Sequence, residues 1–255
     1  MEVRRHPAPA QLANSLLDLT DLTDDCDATA IDRLCARARE HGTAAVCVWP
    51  DFVARSAGLL ADVPTRVATV VDFPTGTERA HAVGLVTADA LANGADEIDV
   101  VLPYAAFAAG DHARSAAMLD VVGARTADAG ALMKVILETG ELVERGLIGR
   151  AADFAIEHGA DFVKTSTGKS PVSATPEAAR VMLEAIAASG RPVGLKPSGG
   201  IRTAADADVY LDLAESILGV GWPTPATFRF GASGVLDALV AAVDGDPNVT
   251  TSATY

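Results

Sequence analysis

The sequence predicts an α/β protein, a single-domain (β/α)8 TIM barrel, and three observations carry that prediction. One device recurs along the 255 residues: an Ala-rich stretch of helical periodicity, a glycine, then a short aliphatic run. EHGTAAVCV, ANGADEIDV, DAGALMKVI, EHGADFVKT and ASGRPVGLK are its copies. Strands alternating with helices at this rhythm mean parallel βαβ units. The second observation is the strand count, about eight in some 250 residues, which is the size of a closed barrel. An open doubly wound sheet would want fewer strands or a longer chain. The third is that no Pro-, Gly- or Ser-rich linker divides the chain. The expected organisation is an irregular head (1–14), the barrel (15–245) and a polar tail (246–255).

The elements follow in order. LLDLT (16–20) reads as the first strand, and ATAIDRLCARARE (28–40) as a helix closed by Gly42. AAVCVW (44–49), RVATVVDF (66–73) and DEIDVVL (96–102) are the next three strands, the last entered through Gly94. Gly130 precedes LMKVIL (132–137), and Gly159 precedes DFVKTS (161–166). TPEAARVMLEAIAA (175–188) is helical and ends at Gly190, before VGLKPS (193–198); TFRFGAS (227–233) is the eighth strand. Each of the five glycines stands where a helix ends in a left-handed turn, a conformation glycine adopts without a side-chain clash.

Composition narrows the function. With 49% hydrophobic, 21% charged and only 5% aromatic residues, the chain builds a large core mainly from Ala, Val, Leu and Ile. A formal net charge of −14 argues against nucleic acid or an anionic membrane as partner, though not against a small phosphate compound in a locally positive pocket. Cys26, Cys35 and Cys47 show neither metal-ligand nor disulfide spacing, and reduced thiols in the cytoplasm are expected. No signal peptide or membrane span is legible. The histidines form no ligand pair; His41 and His158 precede helix-ending glycines and read as structural. Neither a metal nor a cofactor is expected.

In a barrel, chemistry sits at the C-terminal ends of the strands. The polar residues late in the strand candidates are Asp18, Asp72, Asp99, Lys134, Glu138, Lys164 and Lys196. Parallel strands covered on both faces normally read as apolar, so three strand lysines are unusual. A lysine packing its stem on the core and its ammonium in water would explain any one of them. Three at equivalent positions, with Asp99 on a neighbouring strand, point to convergence at the barrel mouth. Neighbouring ammonium groups favour loss of a proton from one, and a neutral amine forms a Schiff base with a carbonyl. Asp99 could carry protons or hold a second lysine.

TSTGKS does not qualify as a nucleotide phosphate loop, because Val163 stands where that motif needs glycine and Pro171 follows too soon. PSGGIRT and FGASG, after the seventh and eighth strands, are better placed for a phosphate. Gly199, Gly200, Ser233 and Gly234 are the expected binding residues, with Gly168 and Lys169 from the sixth loop.

The motifs DEIDVV, LMKVILETG, FVKTSTGK, GLKPSGGIRT and FRFGAS, with LLDLTDL, CVWPDFV and ATVVDFPTG, closely resemble those of the deoxyribose-phosphate aldolases. This resemblance spans nearly the whole chain. It implies a class I aldolase barrel that reversibly cleaves 2-deoxy-D-ribose 5-phosphate to acetaldehyde and D-glyceraldehyde 3-phosphate, in deoxyribose phosphate catabolism. It further implies that Lys164 is the Schiff-base residue, Lys196 the lysine that perturbs it, and Asp99 part of the proton relay. Asp18 and Lys134 would have less direct roles, and Tyr255 would reach the site from the tail. The imine is then the electron sink for cleavage, placed between C3 and C4 of the sugar. Where members of the family often have consecutive serines after FGA, this chain has Ser233-Gly234, which keeps a backbone N–H and loses a hydroxyl. A related sugar phosphate as substrate, or a sugar-phosphate sensor without turnover, are the alternatives. A symmetric homodimer is the default assembly.

Overall fold

Eight parallel strands pair in the order β7-β6-β5-β4-β3-β2-β1-β8 among the described residues of the computed structural model, which are 9–246, 249 and 250. They are β1 (Leu17–Asp21), β2 (Ala45–Val48), β3 (Arg66–Val71), β4 (Glu97–Val101), β5 (Leu132–Ile136), β6 (Phe162–Lys164), β7 (Gly194–Lys196) and β8 (Phe230–Ala232). The two ends of this order meet. Bridges Leu195–Phe228 and Ser198–Gly231 join β7 to β8, and Gly231 donates its N–H to Pro197 O at 2.9 Å. The sheet therefore closes into a barrel, and among the described residues no strand edge is left to pair with another chain.

The helices are α1 (Pro9–Ser15), α2 (Ala28–His41), α3 (Val53–Leu60), α4 (Ala80–Ala92), α5 (Tyr104–Ala108) and α6 (His112–Ala129). Then come α7 (Thr139–Leu142), α8 (Arg145–Glu157), α9 (Pro176–Ser189), α10 (Ala204–Leu218) and α11 (Val235–Val243). Gly42, Gly130 and Gly190 cap α2, α6 and α9 in the left-handed conformation. Gly94 and Gly159 stand one residue beyond their caps, Asn93 and His158, also at positive φ. Side-chain caps start four of the longer helices: Asp27 on α2, Asp111 on α6, Thr175 on α9, and Thr203 with Asp206 as a reciprocal capping box on α10.

One expectation is corrected. The head, 1–14, is not irregular throughout, because α1 begins at Pro9 and buries Ala10 and Ala13 against α10 and α11. A proline is compatible with the first turn of a helix, whose N–H groups have no partner within the helix. Residues 1–8 and most of the tail, including Tyr255, lie outside the described residues.

The core has two parts of different chemistry. Outward-facing strand residues such as Leu19, Val46, Val100, Val135, Val163 and Leu195 pack against the helices in one apolar shell. Residues of the opposite phase point into the barrel. On β1–β3 these form a small apolar cluster of Leu22, Ala45, Cys47, Ala68 and Val70, with Trp49 and Phe73 against it. Across the lumen the inward positions are charged.

Candidate active site

The charged half of the lumen is built by two-residue alternation. Glu97 and Asp99 face inward from β4, Lys134 from β5, Lys164 from β6 and Lys196 from β7, with Asp18 from β1 and Arg229 just before β8. Register places them side by side: Asp99 pairs with Lys134 across β4–β5, and Lys164 with Lys196 across β6–β7. Gly231 makes the room, since a Cβ there would overlap Ser198 Oγ and stand 3.1 Å from Lys196 Cε.

Asp99 is the hub. Its Oδ2 accepts from Lys164 Nζ at 2.9 Å and Lys196 Nζ at 2.8 Å, and its Oδ1 from Lys134 Nζ at 2.7 Å. Lys196 also reaches Asp18 Oδ2 at 2.5 Å, and Lys134 reaches Glu97 Oε2 at 2.6 Å. Arg229 closes the floor, holding Asp18 at 2.7 Å and Glu97 at 2.9 Å, with its guanidinium 5.6 Å from the centre of the Phe162 ring. All seven side chains are buried.

The three lysines are not equivalent. Lys134 has the carboxylates of Asp99 and Glu97 in contact and that of Asp18 at 3.6 Å, and Lys196 has Asp18 and Asp99. Lys164 has Asp99 alone, shared with two other ammonium groups. Burial and the Lys196 cation therefore outweigh Asp99 at Lys164 and pull its pKa below the ordinary lysine value. Burial acts against the charge of Lys134 and Lys196 too, but their carboxylates together win and hold both above that value. Burial opposes ionisation of Asp99 and Asp18 as well, yet the surrounding cations hold both below the usual carboxylate range. Fully ionised, the cluster would set four cations against three carboxylates in a region closed to water. Loss of one proton from Lys164 balances it.

Glu97 and Arg229 were not among the residues singled out from sequence. Both lie inside quoted motifs, DEIDVV and TFRFGAS, and Glu97 shares a face with Asp99 by simple alternation. Searching only the C-terminal ends of strands missed them, because they form the layer beneath. Cys47, expected as a reduced thiol, is buried on the inward face of β2, where burial pushes its pKa up. Asp72 stands at the end of β3 outside the network, at φ 55°, accepting the Glu78 N–H at 2.9 Å. Burial raises its pKa to about 6.

Beyond the lysines, the loops after β6, β7 and β8 enclose a cavity of about 370 Å³ whose walls include Gly168, Gly199, Gly200 and Ser233, with Ser173 and Arg202. Lys169 and Gly234 are not among its walls. The Lys169 ammonium lies 3.7 Å from Asp24, and Gly234 is the N-cap of α11. Among the described residues no group of His, Cys, Asp and Glu is arranged to hold a metal, and no helix is long and apolar enough to cross a membrane.

Comparison with known proteins bears on this site. The model of the DeoC/LacD family aldolases matches residues 13–233. A deoxyribose-phosphate aldolase from Agrobacterium fabrum is 50% identical over 258 residues, spanning 100% of this chain and 99% of the relative. Among solved structures, a Coccidioides immitis protein assigned as a deoxyribose-phosphate aldolase superposes with a TM-score of 0.82 at 30% identity, covering 93% of this chain and 88% of that one. The tetrameric deoxyribose phosphate aldolase of Aeropyrum pernix shares the fold, with a TM-score of 0.78, 24% identity and 94% of each chain covered.

Proposed function

Because the chain belongs to the DeoC/LacD aldolase family, we propose that it cleaves 2-deoxy-D-ribose 5-phosphate reversibly through a Schiff base on Lys164. The observation that carries this reading is the asymmetry among three buried lysines: Lys164 alone has one shared carboxylate, and its pKa alone is lowered. A neutral amine at neutral pH is what attack on an aldehyde requires.

The steps follow from that amine. Lys164 Nζ adds to C1 of the open-chain sugar, and loss of water gives the protonated imine. The C3 hydroxyl gives up its proton, the C2–C3 bond breaks, and its electron pair flows into the imine to leave an enamine. D-glyceraldehyde 3-phosphate departs with C3 to C5. The bond is C2–C3 and not the C3–C4 bond expected from sequence, since acetaldehyde carries two carbons, C1 and C2. Protonation of the enamine at C2 and hydrolysis then release acetaldehyde and restore the amine. Asp99, within 2.9 Å of Lys164 and 2.8 Å of Lys196, is the group we assign to moving these protons, with Lys196 as its cationic partner. Asp18 and Lys134 hold that pair in place.

The phosphate is assigned to the cavity one loop beyond the lysines, at Gly168, Gly199, Gly200 and Ser233, with Lys169 and the amide of Gly234, each next in the chain to a wall residue, as further donors. A homodimer is inferred for the assembly, and sedimentation of the purified protein decides it.

Mixing the protein with acetaldehyde, reducing with borohydride and mapping the peptides tests the reading. A stoichiometric ethyl adduct on Lys164, lost in Lys164→Arg, is expected, together with cleavage of deoxyribose 5-phosphate. Adducts scattered over surface lysines, or none, would defeat it and favour a sensor that binds the sugar phosphate without turnover.

A further inference from the structure

Glu138, one of the late-strand polar residues, has no task in the reaction above. It follows β5 by two residues with a left-handed backbone, φ 54° and ψ 62°. A residue other than glycine adopts that conformation rarely and against a steric cost. Its side chain is 1% exposed, and a carboxylate so placed needs donors. Those it has come from one segment. The Thr167 N–H approaches its two oxygens at 3.4 and 3.3 Å, the Thr167 hydroxyl donates to Oε2, and Ser170 Oγ donates to Oε1 at 3.1 Å.

That segment, 165–175, is the wall of the phosphate cavity and contains neither helix nor strand. Its ends are tied to the loop after β7: Thr165 Oγ1 accepts the Ser198 N–H at 3.0 Å, and Ala174 N donates to Ser198 O at 3.2 Å. Nearer its middle it packs on that same loop, since a Cβ on Gly199 would overlap Ser173 Oγ and stand 3.3 Å from Gly168 Cα. There Lys169 meets Asp24 at 3.7 Å, but the Asp24 side chain is 96% exposed and such a pair contributes little. A further contact comes from the same turn as Glu138, since a Cβ on Gly140 would overlap the Val172 carbonyl. The β5–α7 turn therefore grips the stretch 167–172, which carries Gly168 and Ser170 of the cavity wall.

We propose that Glu138 is a positioning residue that holds the 167–172 stretch in the shape that receives the substrate's phosphate; this rests on the aldolase reading above and extends it. Glu138 is buried behind the loop and acts through Thr167 and Ser170. Burial is the largest influence on its own proton and pushes its pKa above the usual carboxylate range despite these donors.

The test compares Glu138→Ala and the isosteric Glu138→Gln with the parent protein on 2-deoxyribose 5-phosphate and on unphosphorylated 2-deoxyribose. In Glu138→Ala the ratio of the two kcat/KM values should fall about 10-fold, through KM for the phosphorylated sugar, as a set of charge-assisted hydrogen bonds is lost. Glu138→Gln, which keeps one acceptor oxygen, should recover part of it. Amides of 167–172 should exchange hydrogen faster in Glu138→Ala, while acetaldehyde is still trapped on Lys164. Equal losses on both sugars would overturn the proposal, as would unchanged exchange in 167–172. A parent protein that does not cleave deoxyribose 5-phosphate would defeat the aldolase reading instead, and amide exchange would still decide whether Glu138 anchors the stretch.

Discussion

Asp99 accepts from three lysines, and its two effects on Lys164 have opposite signs for catalysis. Its charge favours the protonated, unreactive lysine, whereas in the proposed reaction its proton-carrying capacity serves the later steps. Asp99→Asn separates the two. Lys164 loses its acidic partner, so imine trapping with acetaldehyde should persist at neutral pH. Turnover should fall roughly 10²- to 10⁴-fold, the usual loss when a positioned acid–base group is removed. Trapping lost in parallel with turnover would show that Asp99 only shapes the site. Lys196→Met probes the other side of the balance. Asp18 keeps Arg229 at 2.7 Å and Lys134 at 3.6 Å, so no buried carboxylate is orphaned. Without the Lys196 cation, Asp99 holds the Lys164 proton more firmly and the Lys164 pKa rises. Because the reactive form is the neutral amine, the rise of trapping rate with pH should move to the alkaline side. At pH 7 the rate should drop about 10-fold for each unit of that movement. A profile that stays in place would remove Lys196 from the account. At this scale the sequence disclosed the lysines and Asp99, since charge on a buried parallel strand stands out. It did not disclose which lysine has too few carboxylates, because Glu97 gives Lys134 its second one from a layer below and only the fold brings Asp18 to Lys196.

The elements were largely legible for a local reason: a glycine that ends a helix is needed whatever the tertiary context, and all five stand at positive φ. Closure of the barrel was less so. The last two strands span only Gly194–Lys196 and Phe230–Ala232, and the seam between them depends on two isolated bridges. Its glycines are there for space, which no propensity reveals. Gly194 leaves room for the Phe162 ring under Arg229, and Gly231 for Ser198 and Lys196. Gly231→Ala should therefore destabilise the fold by about 1–3 kcal/mol, as overpacking of a filled interior does. It should also displace Lys196 and slow imine trapping. Urea unfolding and the trapping assay read the two effects. An alanine tolerated in both would mean that the seam has slack. Of the loop residues proposed for phosphate, Gly168, Gly199, Gly200 and Ser233 meet in one cavity. Lys169 turns towards Asp24, a partner some 145 positions earlier in the chain that no local pattern could indicate.

The whole molecule sets two charge distributions against each other. The lumen is close to neutral once Lys164 has lost its proton, but the chain as a whole carries −14. A sugar phosphate approaching the mouth carries negative charge as well, so the long-range field opposes its entry and the local donors of the cavity must overcome it. Salt screens the first effect more than the second. The Debye length shrinks from about 30 Å at 0.01 M to about 8 Å at 0.15 M, shorter than the span of the barrel but longer than a hydrogen bond. KM for deoxyribose 5-phosphate should therefore fall as ionic strength rises over that range, by about twofold if a few tenths of a kcal/mol of repulsion are screened. Unphosphorylated deoxyribose, being neutral, should show no such trend. A KM that rises with salt would mean that local cations such as Arg202 in the cavity wall dominate the field the substrate meets, and that the acidic exterior is placed too far from the mouth to matter.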